Sequence, residues 1–157
     1  GVQERARLLS GAARSVSSSH IRPDRFASPG RISVDLLAMA APSGSPKILC
    51  EYEPFGLVLR YLDWGNIVFL SGVTVVLPHF DAQLQTIVGR IEETLKLAGL
   101  NWTNVARASF FLHRSCSMST LRQRFAEFVP MSLPLADYCV VDTRQGKLVE
   151  IEITAER

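Results

Sequence analysis

The stretch Lys147 to Ala155 reads Lys-Leu-Val-Glu-Ile-Glu-Ile-Thr-Ala, and it constrains the fold more than any other part of the chain. A strand repeats its side-chain direction every second residue, so Val149, Ile151 and Ile153 share one face while Glu150 and Glu152 share the other. The apolar face must be buried against a second layer, which predicts a sheet covered on one side. Two neighbouring carboxylates on the opposite face cost stability unless that face is wet or meets a cation. The carboxylate face is therefore where a cleft is expected.

The covering layer is visible too. Leu84, Ile87, Val88, Ile91, Leu95 and Ala98 recur at helical spacing, with Arg90, Glu92, Glu93 and Lys96 outward and Gly99 placed as a C-terminal stop. Around this helix the pattern predicts strands over 57–62 and 67–71 joined by an Asp63–Asn66 turn. It also predicts a strand over 105–112, a short helix through Leu121, Phe125 and Phe128 capped by Ser119, and strands over 138–142 and 148–155. The order β-β-α-β-α-β-β implies an α+β fold with both helices on one face of a mixed sheet. Upstream, Val2 to Val16 reads as a helix, 17–30 as a loop, 31–40 as a strand and Pro42–Pro46 as a linker.

Bulk properties exclude several classes of function. A chain of 157 residues with 47% hydrophobic residues is long enough to bury a core of its own. A net charge of +2 is too small to argue for nucleic acid or an acidic membrane surface, although Arg5, Arg7, Arg14, Arg22, Arg25 and Arg31 crowd the first 31 residues. Phe55 to Leu77 is broken by Arg60, Asp63 and Asn66, so it is not a membrane span, and the polar start predicts no signal peptide. Three cysteines (Cys50, Cys116, Cys139) without paired spacing favour reduced thiols and a cytoplasmic setting.

Other chemistry-bearing residues read as structural. His113 and Cys116 lack a third group to orient the histidine, and His79 with Asp81 is too few ligands for a metal. His20 lies in the predicted loop, and no glycine-rich phosphate loop follows a strand. Trp64 and Trp102 suit a core or an interface, and the apolar Val73 to Leu77 suits an oligomer contact.

From about Glu51 onward the chain resembles the Rid family (reactive intermediate deaminases, also called YjgF or endoribonuclease L-PSP). The resemblance is carried by Ile67-Val68-Phe69-Leu70 running into Ser71-Gly72, Gln83 opening the long helix, and Leu97-Ala98-Gly99-Leu100. It continues through 105–112, Phe125-Ala126-Glu127-Phe128 and Val149-Glu150-Ile151-Glu152. It implies the chorismate-mutase-like fold, a homotrimer or pseudo-trimer with ligand clefts between units, and hydrolysis of reactive enamines or imines to keto acids and ammonia. No cofactor and no metal are implied; the partners are a small-molecule ligand and other copies of the unit, not nucleic acid or membrane.

Residue by residue, the resemblance makes Glu152 the last-strand glutamate that positions water and Gly72 the turn glycine. The family's substrate-anchoring arginine, in a Pro-x-Arg segment, has no counterpart here: Pro134 is followed by Leu135 and Ala136. Phe55, Arg122 and Tyr138 are expected to line the ligand side, Arg122 standing where the family often has Asn in the second helix. The segment Pro29-Gly30-Arg31 resembles the missing motif, so Arg31 is the expected anion-binding residue. Residues 1–46 then resemble the tail of another Rid unit and 47–157 a Rid-like domain. A tandem two-copy protein, seen as its C-terminal part with a possible companion fragment, is the arrangement expected. Two functions follow: a Rid-type deaminase acting on a small carbonyl or imine compound, or a non-catalytic ligand-binding or structural subunit completing an assembly. The family's ribonuclease label is weaker, because the unit lacks a basic stripe with aromatics.

Overall fold

A computed structural model describes residue 7 and residues 10–16, 22–23, 44–52, 59–143 and 146–157. The described strands are β1 (Arg22–Pro23), β2 (Lys47–Glu51), β3 (Leu59–Trp64), β4 (Ile67–Leu70), β5 (Val73–Thr74), β6 (Val105–His113), β7 (Ala136–Asp142) and β8 (Val149–Glu156). They form one sheet ordered β1-β7-β6-β8-β4-β3-β2, with β5 continuing beside β8. Helix α1 (Phe80–Leu97) links β5 to β6, and α2 (Met118–Phe128) links β6 to β7. β6 and β7 run parallel, which requires such a crossover, while the other pairings are antiparallel. The sheet is mixed and the class is α+β.

Both helices pack on one face. Leu84, Ile87, Ile91 and Leu95 of α1 and Leu121 and Phe125 of α2 join one core with Val68, Leu70, Phe110, Leu112, Ile151 and Ile153. Helix α1 ends as its sequence predicts. Gly99 takes φ 72, its N–H donates to Lys96 O at 3.0 Å, and the Leu100 N–H donates to Leu95 O at 2.8 Å. These two bonds satisfy carbonyls that the last turn would otherwise orphan.

Several expectations are corrected. The predicted 2–16 helix does not persist through its described end: Gly11–Ala13 is a 3-10 turn and Arg14 is extended. Gly11 takes φ 55, a left-handed conformation that a right-handed helix cannot contain. The predicted 17–30 loop contains strand β1, which pairs Arg22 with Asp142 and Pro23 with Val141. Strand β2 was not predicted. The hairpin turn is tighter than expected, since Trp64 pairs directly with Ile67 and Gly65 takes φ 69, as a two-residue hairpin favours. Ser117 rather than Ser119 caps α2, accepting from the Thr120 N–H. The 73–77 stretch divides: Val73 and Val75 are buried, while Val76 and Leu77 are exposed. The strand expected over 31–40 lies outside the described residues.

Candidate functional site

The face of the sheet away from the helices carries the candidate site. On β8, Glu150 and Glu152 point to this face and are half-buried, while Val149, Ile151 and Ile153 are buried beneath the helices. The alternation read from the sequence is therefore present. Glu152 pairs with Ser109 of β6, and Glu150 pairs with Phe111 and Thr74. Val73 pairs with Ile151, so carrying that register back one residue sets Gly72 beside Glu152. The turn before Gly72 is held by Ser71, whose hydroxyl donates to Leu59 O and whose N–H donates to Arg60 O at 3.2 Å.

A cation that the sequence did not single out stands on this row, on the strand predicted over 105–112. Arg107 of β6 pairs in register with Thr154, next but one to Glu152 along β8. Asp137 of β7 pairs with Ser109, so Asp137, Ser109 and Glu152 lie in one line across three strands. The Arg107 Nε–H donates to Asp137 Oδ2 at 2.8 Å and Nη2 lies 2.7 Å from the same oxygen. The two side chains are 55% and 49% exposed, so the pair is available to solvent and contributes little to stability. A signal for Arg107 existed in the sequence: residues 107, 109, 111 and 113 share a face. The bulge at Val105–Arg107 hides it by breaking the alternation that begins at Val105.

Two other expected residues, Tyr138 and Arg122, lie elsewhere. Tyr138 of β7 stacks on Phe110 with centroids 4.8 Å apart, which places it on the helix side. The Arg122 guanidinium of α2 covers the Tyr138 ring at 4.6 Å. This cation–π pair lies on the opposite face from Glu152, because β7 sets Tyr138 in register with Phe110. Ala136 pairs with Ala108 on the core side, and the next residue facing the Glu152 row is the carboxylate of Asp137. Arg31 and Phe55 lie outside the described residues.

The remaining polar groups have local roles. The Ser115 N–H donates to His113 Nδ1 at 3.2 Å and closes the turn after β6. Asp81 lies 3.2 Å from Arg124 and bridges the two helices. Among the described residues, no group of three or more His, Cys, Asp or Glu is placed to hold a metal ion, and no helix is long and apolar enough to cross a membrane. Cys50, Cys116 and Cys139 are free thiols. Trp102 packs edge-on against Phe125 at 5.9 Å, as a core aromatic does.

At the level of sequence the chain matches no family model and no curated protein. Its fold, however, is shared with many solved structures. A member of the YjgF/YER057c/UK114 family from Mycobacterium tuberculosis is 22% identical, with a TM-score of 0.59 over 71% of this chain and 100% of that one. A Rid-family protein of unknown function from Yersinia pestis is 19% identical, with a TM-score of 0.64 over 71% and 100%. TdcF of E. coli, solved with bound serine, is 20% identical, with a TM-score of 0.59 over 66% and 90%. The chain thus has the fold of the Rid and YjgF proteins, as the sequence resemblance predicted.

Proposed function

We propose that this chain is a Rid-type protein that takes a small reactive imine, enamine or related carbonyl compound at the Glu152 face. For the imine or enamine, it adds water to release the carbonyl product and ammonia, with Glu152 positioning the water. The observation that carries this reading is the placement of Glu152. It is half-buried on the last strand, opposite Ser109 and beside the Ser71-Gly72 turn, on a fold shared with Rid proteins. A carboxylate there can hold a water by hydrogen bonding and accept its proton as attack proceeds. The serine bound to TdcF supports a small polar ligand as the chemical class. The same reading includes a trimer or pseudo-trimer whose clefts lie between units; Arg31 is the cation that the sequence resemblance offers for the ligand's carboxylate.

The test couples an amino-acid oxidase, which generates the imine, to semicarbazide trapping, and compares wild type with Glu152→Gln and Arg31→Ala. Accelerated imine loss in wild type, cut at least about tenfold in Glu152→Gln, is the expected result. Equal rates in the two would remove Glu152 from the mechanism.

A second reading, a non-catalytic ligand-binding or structural subunit, is favoured by one observation. Asp137 rather than an arginine faces the row from β7. Ligand binding without any acceleration by wild type would decide for it.

A further inference from the structure

We infer that Arg107, oriented by Asp137, is the carboxylate-binding residue of the Glu152 face. This deepens the reading above and rests on it for the identity of the face.

A guanidinium has five N–H donors, and here two of its nitrogens are directed at a single oxygen, Asp137 Oδ2, at 2.8 and 2.7 Å. That contact leaves donors on Nη1 and Nη2 uncommitted to Asp137 and fixes the plane of the fork. A fork of fixed plane matches a carboxylate in a way that a freely rotating cation does not. Among the described residues, the neighbouring ion pair does not involve Arg107: Arg114, just after β6, pairs with Asp142 at the far end of β7.

The position is as informative as the charge. Arg107 sits opposite Thr154, so Glu152 is its diagonal neighbour across an antiparallel pair. Diagonal neighbours are about 7–8 Å apart, within reach of long side chains. The gap suits a small 2-amino or 2-oxo acid with its carboxylate on Arg107 and its reacting carbon toward Ser109 and Glu152. The Ser109 hydroxyl lies between the two carboxylates of the row and can donate to the ligand. Asp137 has a second consequence. Its negative charge stands beside the anion being bound, so it orients Arg107 while weakening the site's net attraction. Orientation and attraction therefore respond oppositely to substitution at the two ends of one ion pair.

The experiment titrates isotope-labelled protein with L-serine and with serinamide, which lacks the carboxylate, and follows amide shifts of residues 107–111 and 150–154. Wild type is expected to bind serine at least about tenfold more tightly than serinamide, the size of one charge-assisted partner. Arg107→Gln should erase that preference. Asp137→Asn, which keeps a hydrogen-bond acceptor but removes the opposing charge, should tighten serine binding. Both variants should keep the wild-type thermal midpoint, and a purely structural role would not give binding changes of opposite sign. Unchanged serine binding in Arg107→Gln, or loss only in Arg31→Ala, would overturn the assignment. Absence of serine binding in wild type would overturn it as well. If imine hydrolysis persists in either case, the function proposed for the face stands without Arg107; if hydrolysis is also absent, that function falls with it.

Discussion

Gln83 offers the most demanding test of how this fold holds its site in place. It is fully buried at the start of α1, yet its side chain bonds to two loops outside the helix. Nε2 donates to Leu77 O at 2.6 Å and to Gly146 O at 2.8 Å, while Oε1 accepts from the Leu148 N–H at 2.8 Å. One amide thus ties the segment after β5 to the turn that leads into β8, the strand of Glu152. Gln83→Leu keeps the volume and strands three backbone groups. Leu77 and Gly146 are exposed, so water can reach their carbonyls at about 1 kcal/mol each, whereas the half-buried Leu148 N–H costs about 2 kcal/mol. The expected loss is about 4 kcal/mol. It should appear as a lower urea midpoint at unchanged m-value and, for a domain this size, a thermal midpoint lower by about 10 °C. Gln83→Glu separates hydrogen bonding from packing. An ionised carboxylate would face two carbonyl oxygens, so the folded state would favour the protonated form and hold its pKa above the ordinary value of about 4.3. A folded state that binds a proton the unfolded state releases loses stability as pH rises through that range. The glutamate variant should therefore approach wild type near pH 4 and fall below the leucine variant at pH 7. A loss under about 1 kcal/mol for Gln83→Leu, or a pH-independent penalty for Gln83→Glu, would refute this account of the clamp.

Asp63 is buried and lies 2.5 Å from Arg157 Nη2, which also donates to Ala98 O at the end of α1. Arg157→Ala should cost about 2–3 kcal/mol in chemical denaturation, and adding Asp63→Asn should recover part of it, because the cost is chiefly that of an uncompensated buried charge. A Cβ on Gly146, at φ 79, would lie 2.9 Å from Val76 Cγ1, whereas one on Gly99, at φ 72, meets nothing closer than 3.9 Å. Gly99→Ala should thus lose only the backbone term of about 1 kcal/mol, and Gly146→Ala should lose more, with partial rescue by Val76→Ala in thermal melts. Burial, above all other causes, raises the phenol pKa of Tyr52 and of Tyr61 above the ordinary value of 10.0. The folded state keeps these protons longer, so stability should fall as pH rises past about 10, and Tyr61→Phe should flatten that fall in pH-dependent unfolding curves.

How much of this was legible in the sequence depends on whether a period survives. Helix α1 was readable because its apolar residues keep helical spacing and Gly99 ends it. Strand β8 was readable because its burial alternates without a break from Val149 to Ala155. Strands β3 and β6 carry irregularities that defeat a period-two reading. Cys50 and Glu51 pair with Tyr61 and Leu59, leaving Arg60 as an extra residue, and Arg60 reaches back to Thr94 and Glu93 on α1. The same device in β6, where Val105 and Arg107 pair with Ala155 and Thr154, puts a buried valine and an exposed arginine two residues apart on opposite faces. Strict alternation would have sent Arg107 into the core, so the sequence pattern alone does not set this exposed cation beside Glu152. The face of Tyr138 was illegible for a related reason: a residue's face on β7 is set by its parallel register with β6, which no local pattern encodes. A bulge exchanges the faces of every residue beyond it. The carboxylates of this face could therefore be read from one regular strand, whereas their cationic neighbour could be found only by pairing that strand with an irregular one.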